Sequence, residues 1–401
     1  MTKIGGYKPP GVGWTPSGVT HGKKPGQKPP AKPKVPPQRA TTIDVGLPVT
    51  HISAMSGGVI AAVHSPERFL RAYDAAGQML WGEGIRLYSR SQPERVQQIL
   101  QAGDYTWVTS RDIHDGDCVM RIIENRAGHL VYEDLFVAEE LAPHFTLIPR
   151  QGRVLKLGID SRVTLHDYQG NKIAEILEPN LDGPLGALSN GGDKFFFSFE
   201  TRGGSRYVIG YDSYGGQVTA AVRFDDKFGK PCQSLVDEQN NQLFVATDNG
   251  YLFVIDITSS ECREISYPYA RNGALAITLI DGQLYAVIEN DYHAKLVAYN
   301  AKTHQEAWRF PSMGTIEGYS LPLGYYYDGQ RNLIITCRDG LMHGLNPVDG
   351  LILGFGNEKI AAYTSFRPVQ IAGDLFAVEV NAPGKRLDEK PSQTLAVYKW
   401  G

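Results

Sequence analysis

Cysteine is scarce: Cys118, Cys232, Cys262 and Cys337 are the only four in 401 residues, and they stand far apart. Without a CxxC pair, neither a disulfide framework nor a zinc site is indicated, and buried thiols in a reducing compartment are expected. No apolar run approaches the length of a membrane span. The opening MTKIGGYKPPGVGW is broken by Gly, Pro and Lys, so it lacks the apolar region of a signal peptide. These absences predict a soluble, cytoplasmic protein with no membrane insertion. The ten histidines show no HxxxH or HExxH spacing and no serine sits in G-x-S-x-G, so the commonest hydrolase signatures are missing. His64, His166 and His343 are read as core or surface residues, and Ser53 and Ser56 of SAMSGG as turn residues.

Acidic residues are missing from the first 40 positions, which hold Lys3, Lys8, Lys23, Lys24, Lys28, Lys32, Lys34 and Arg39. The total charge is −3, so these eight cations leave −11 for residues 41–401. A basic tail precedes an acidic body.

What the body has in plenty is glycine (44), tyrosine (21) and short apolar runs separated by Gly, Asn and Asp. That is the composition of a β-rich chain with many turns. A phrase also recurs: AYDAAGQMLWG at 72–82 and AYNAKTHQEAWRF at 298–310 both place an Asp or Asn at a strand end, then a turn, then Trp. The phased position returns at Asp74, Asn125, Asp167, Asp212, Asp256, Asn300 and Asn346, with intervals of 42 to 51 residues. An eighth copy, TLAVYKW, has Lys399 in its place. Within a period, residues 232–268 divide into CQSLVDEQN, NQLFVATDNG, YLFVIDITSS and ECREISYP, and 275–312 divide in the same way. Four short antiparallel strands in about 44 residues make a propeller blade.

The phased residues have a mechanical reading. A short polar side chain at a strand end holds the next turn through its backbone N–H groups. The tryptophan that follows, Trp81 or Trp308, covers the gap between blades while its N–H finds a carbonyl. Asp74, Trp81, Asn300 and Trp308 are thus the candidate blade-docking residues. Ala298, Asn300, Thr303 and Trp308, with His304 at the glycine place, resemble the A-x-D-x-x-T-G-x-x-x-W motif of pyrroloquinoline-quinone-like β-propeller repeats. Ala72, Asp74, Gly77 and Trp81 resemble it one residue shorter. Other units depart from it, with Tyr132 and Ala220 at the Trp place of the second and fourth. The resemblance implies an all-β propeller. The quinoprotein enzymes of that family use tryptophan platforms, a calcium ion and often adjacent cysteines. No Cys-Cys pair occurs here, so a non-enzymatic member without cofactor is expected. DIHDGD at 112–117 lacks the regular oxygen-ligand spacing of a calcium loop and is read, like ENDYHAK at 289–295, as a solvated hairpin turn.

Eight third strands predict eight four-stranded antiparallel blades. The chain ends just after the last of these, so ATTIDVGLPV (40–49) is expected to fill the vacant outer position and close the ring. A seven-bladed ring with 82–104 outside it is the alternative. The domain division is therefore a basic arm, 1–39, and a propeller, 40–401.

Residues 1–40 hold nine Pro and seven Gly, too little apolar surface to fold alone. KKPGQKPPAKPKVPPQR favours extended polyproline geometry, while Tyr7 and Trp14 are isolated aromatics suited to a partner's pockets. Tyr7, Trp14, Lys23, Lys24, Lys28, Lys32 and Lys34 are the candidate partner-binding residues. The predicted function is a non-enzymatic scaffold or adaptor in a multi-protein assembly, with the arm docking on a protein partner or a neighbouring copy. Two alternatives stand beside it: nucleic-acid association through the basic arm, and an enzyme or ligand site at the mouth of the central channel.

Overall fold

The structure is a computed structural model. It describes residues 37–400 except 47–48, 65–67, 90–91, 113, 115, 137–143, 149–151, 158–161, 178–183, 192–193, 201–203, 213–217, 266–273, 291–292, 311–321, 328–329, 339–340, 356–368, 373–374 and 381–393.

Apolar runs too short for helices become strands buried on both faces. Lys194–Glu200, sequence KFFFSFE, shows how: Phe195 and Phe197 pack toward the preceding sheet, whereas Phe196 packs toward the following one. Gln242–Thr247 is buried along its whole length for the same reason. With side chains alternating between faces, a fully apolar strand needs a neighbour on each side.

Eight antiparallel sheets result, seven of them meanders of consecutive strands. Blade 1 comprises Val49–Met55, Gly58–His64, Arg68–Asp74 and the two-residue Ile85–Arg86. Blade 2 has Gln92–Ala102, Tyr105–Asp112, Cys118–Glu124 and Leu130–Phe136, with Tyr88–Ser89 paired to the start of its first strand. Blades 3 to 7 begin at His144, Pro184, Pro231, Ala274 and Leu323. Blade 8 takes Val369–Ala372, Leu375–Val380 and Thr394–Lys399 from the chain end and its fourth strand, Gln38–Asp44, from the beginning. The closing strand is thus 38–44 rather than 40–49, because Val49 already opens the inner strand of blade 1. The stretch 82–104 lies inside the ring, where it supplies blade 1's outer strand Ile85–Arg86 and blade 2's first strand Gln92–Ala102, so the seven-bladed alternative falls.

The core is divided in the same way. Eight hydrophobic clusters are found, one for each seam between successive blades. The cluster between blades 8 and 1 includes Ile43 and Val45 beside Val59, Val63, Leu395 and Val397. Polar pins join first strands as well. The Gln98 amide donates to the Phe145 carbonyl (2.9 Å) and accepts from the Phe145 N–H (3.0 Å). Gln233 does the same with Ile277, at 2.8 Å in both directions. Each amide side chain takes the place of a peptide group and extends the hydrogen-bonded ladder across a seam.

Candidate interaction surface

In a meander blade, the turn between the first two strands and the turn between the third and fourth lie on one face of the ring. The second-to-third turns and the connections between blades lie on the other. The repeated Asx–Trp phrase therefore builds one face. Asp74 accepts from the N–H groups of Ala76 (2.9 Å) and Gln78 (2.8 Å), and Asn300 accepts from Lys302 (3.0 Å) and Thr303 (2.9 Å). Asp167, Asp256 and Asn346 hold their turns similarly. Blade 2 corrects the phase by one residue. There Glu124 holds the turn through Arg126 and Ala127, while buried Asn125 accepts from Thr106 at 2.5 Å.

Trp81 and Trp308 reach from these turns onto the following blade. Trp81 is 5% exposed and donates to the Asn125 carbonyl at 2.7 Å; Trp308 is 7% exposed and donates to the Pro347 carbonyl at 2.9 Å. Each ring lies on a glycine with left-handed backbone, Gly128 (φ +70°) under Trp81 and Gly350 (φ +69°) under Trp308. A Cβ on Gly350 would stand 2.5 Å from the Trp308 ring, so the glycine serves both the turn and the seat. Trp308 lies within an outer strand, Glu306–Phe310, but Trp81 precedes the short Ile85–Arg86 rather than starting it.

The docked turns also carry exposed apolar side chains. Met79 and Leu80 come just before Trp81, and Leu130, Val131 and Tyr132 follow Gly128; Val348, Leu351 and Ile352 flank Gly350. Apart from Ile173, these are all the exposed large apolar residues among the described ones. Sequence reading overlooked them. Their signal was LVY at 130–132, three consecutive apolar residues in an outer strand where alternation reserves places for polar ones. Tyr7, Trp14, Lys23, Lys24, Lys28, Lys32 and Lys34 lie outside the described residues.

Inside the seam between blades 1 and 2 a charged pair is buried. Arg121 meets Glu94 at 2.5 and 2.8 Å and Glu133 at 2.7 Å, and donates to the Tyr88 carbonyl at 3.2 Å; Ser110 donates to Glu94. Burial opposes the Arg121 charge, but its bonds to Glu94 and Glu133 outweigh it and raise its pKa. These contacts fasten the connection between the two blades to the seam.

Histidines serve packing. His166 donates from Nδ1 to the Gly170 carbonyl (2.9 Å), bonds Thr164 through Nε2 (2.9 Å) and meets the edge of Trp107; burial lowers its pKa. His343 packs edge-on to Phe310. The side chain of His64 lies outside the described residues. Ser53 is in the strand Val49–Met55, not in a turn, because it pairs with Ile60; Ser56 is in the turn.

DIHDGD joins the second and third strands of blade 2, where Asp112 accepts from the His114 N–H at 2.7 Å. Among the described residues no three His, Cys, Asp or Glu side chains gather as metal ligands, and no helix is long and apolar enough to cross a membrane. Among the described residues Cys118, Cys232 and Cys262 are not joined in disulfides. Cys118 is buried as expected, but Cys262 is half-buried and Cys232 exposed. The Cys232 sulfur itself turns in toward the Ala246 carbonyl, and its desolvation, then Asp248, pushes that thiol up to about 11, while desolvation pushes Cys262 up to about 12.

Eight sheets built on four strands, blade 2 with the extra two-residue Tyr88–Ser89, and closed by a strand from the opposite end of the chain, define an eight-bladed β-propeller. No protein-family model matches the chain, and no curated protein matches it in sequence. Solved structures do match. BamB from Moraxella catarrhalis is 14% identical, with 90% of this chain and 99% of that one covered and a TM-score of 0.54. The C-terminal WD40 domain of Sif2 is 12% identical, with 90% and 98% covered and a TM-score of 0.59. Likeness at these identities carries the fold.

Proposed function

We propose that this propeller is a non-enzymatic, cytoplasmic scaffold in a multi-protein assembly, built from repeats of the pyrroloquinoline-quinone-like type. The observation that carries the reading is the gathering of exposed apolar side chains at the two tryptophan-docked seams, Met79, Leu80, Leu130, Val131 and Tyr132 at one and Val348, Leu351 and Ile352 at the other. Scattered apolar residues are ordinary on a protein surface, whereas gathered ones mark places where another protein covers them. The basic arm is the second contact, docking onto a protein partner or a neighbouring copy. Tyr7 and Trp14 anchor it, while Lys23, Lys24, Lys28, Lys32 and Lys34 steer it toward an acidic surface. As a coil the arm spans ~35 Å, and as extended polyproline up to ~120 Å, enough to reach another subunit.

The test compares the full chain with a variant lacking residues 1–36 and with Tyr7→Ala/Trp14→Ala, each assayed for association with itself and for captured proteins at low and high salt. Loss of association on aromatic replacement at low salt is expected. Binding that follows salt alone would reduce the arm to a diffuse polycation. Unchanged association in both variants would remove the arm from the function.

A further inference from the structure

Outer strands leave one edge of every blade without a partner strand, and most described edges here are guarded. Glu306 pairs with Arg309 on blade 6 at 2.6 Å, and Lys172 pairs with Glu175 on blade 3. Blade 8 ends in Gln38–Asp44, with Gln38, Arg39 and Thr42 exposed. In blade 1 the outer strand is two residues long and in blade 5 it is three. Short or charged edges of this kind discourage further pairing.

Blade 2 differs. Its outer strand Leu130–Phe136 is seven residues long and stands at the sheet edge, opening with Leu130 (48% exposed), Val131 (48%) and Tyr132 (38%). A bulge lies between Leu130 and Tyr132, but comparable bulges occur between the third and outer strands of blades 3, 4, 6 and 7, so it is no special guard. Past it, Tyr132 to Phe136 run in register with Ile122 to Cys118 and present five residues of edge backbone. Acidic groups border the apolar ones: Glu124, Asp134 and Glu133, the last half-exposed even while it meets Arg121. An apolar, acid-flanked edge calls for an extended segment that is apolar at alternate positions and basic on both sides.

We propose that the occupant is the N-terminal arm of a second copy of this chain, added around Trp14 as one more strand along the outer edge of blade 2. This deepens the scaffold reading and rests on its arm. In such an added strand the sequence GVGWT at 11–15 covers five positions with its two apolar side chains, Val12 and Trp14, at alternate places, and Lys8 precedes it while Lys23 and Lys24 follow. Backbone pairing supplies affinity and the alternate side chains supply choice of partner. Charge complementarity selects the segment, since residues 1–40 hold eight cations and no acid while the remainder carries −11.

The experiment places a photo-crosslinking amino acid at Val131 of the full chain and mixes isotopically light and heavy copies, so that crosslinks between copies are told from those within one. Self-association is measured in parallel for Val131→Lys and Trp14→Ala. Expected are crosslinks between copies that map to residues 11–22, and self-association at least tenfold weaker in both variants. If Trp14→Ala dissociates the chain while Val131→Lys does not, the arm docks elsewhere and only this inference falls. Crosslinks confined to one copy, or made only to a different protein in lysate, overturn it too. A wild-type chain that stays monomeric overturns it as well, and leaves the wider scaffold reading to the capture assay.

Discussion

A single tryptophan does two jobs here, filling a seam and bonding a carbonyl across it. Trp308→Ala removes both, leaving a cavity beside Tyr285 and Leu345. It should cost ~3–5 kcal/mol, read as a lower urea midpoint with an unchanged m-value. His304 makes the opposite kind of compromise. It stands at φ +59° where the first copy has Gly77 at +86°, and it keeps that strained backbone because its ring is used. Arg263 can only donate, so Nδ1 accepts and Nε2 carries the proton that Gln242 Oε1 receives at 2.6 Å. His304→Gly should therefore destabilise by ~1 kcal/mol net, the strand-end relief falling short of the ~1–3 kcal/mol lost at buried Gln242; a raised melting temperature would refute the account. Protonation is costly at this site as well. Burial, then Arg263, lowers the His304 pKa, and burial lowers that of His166. The unfolded chain then takes up these protons first, near the ordinary value of 6.5, so stability falls as pH drops through 6.5 toward the lower folded values. Urea midpoints from pH 7.5 down to 5 check this, and His304→Asn, which tolerates the same backbone, should flatten part of the slope.

Strands and turns obey a division of labour that the sequence reveals unevenly. Apolar runs such as LFVAT and FFFSF announce strands buried on both faces, and Asx residues at strand ends announce turns, so the blades were legible from residues 51 to 401. The closing strand was legible from a missing partner, but placed two residues late at its start and five late at its end, because TTID is bounded by polar residues on one side and by Gly46 on the other. What escaped reading depends on contacts between blades. Asn125 looks like a turn holder, yet its neighbour Glu124 has the longer side chain that reaches Arg126 and Ala127, which releases Asn125 to bond Thr106. Gly350 looks like a turn glycine and is also the seat of a tryptophan 42 positions earlier in the chain. Gly350→Ala should cost ~1–3 kcal/mol, combining left-handed strain with the clash against Trp308. Gln98 and Gln233 gave no signal at all, since a polar residue in an inner strand reads as solvent-facing until its neighbour strand is placed. Gln98→Leu strands the Phe145 N–H and carbonyl in a half-buried seam and should lower stability by ~1–3 kcal/mol, measured by equilibrium unfolding.

For the molecule as a whole, closure decides whether eight sheets behave as one body. Seven seams join sheets that follow each other in the chain, but the eighth joins blade 8 to blade 1 and depends on Gln38–Asp44, which carries Ile43 at 1% exposure, and on the adjoining Val45, also 1% exposed. Arg71 of blade 1 also donates to the Val45 carbonyl at 2.7 Å, so this short segment is tied to both sides of the closing seam. Burying two such aliphatic side chains contributes ~1.5–3 kcal/mol each, before the strand's own hydrogen bonds are counted. Against a typical total of ~5–15 kcal/mol, that is a large share for eight residues. Two deletions separate the arm from the closure. Removing residues 1–36 leaves the strand intact, and the thermal transition should stay within about 2 °C of the parent. Removing residues 1–45 opens blade 8 along Thr394–Lys399 and exposes an apolar edge, so the protein should lose its cooperative transition or aggregate well below the parental melting temperature. Thr42→Pro, which takes one N–H from the middle of that strand, should fall between the two. If the longer deletion melts like the shorter one, the ring does not depend on this strand, and the blades hold together by their seven chain-ordered seams alone.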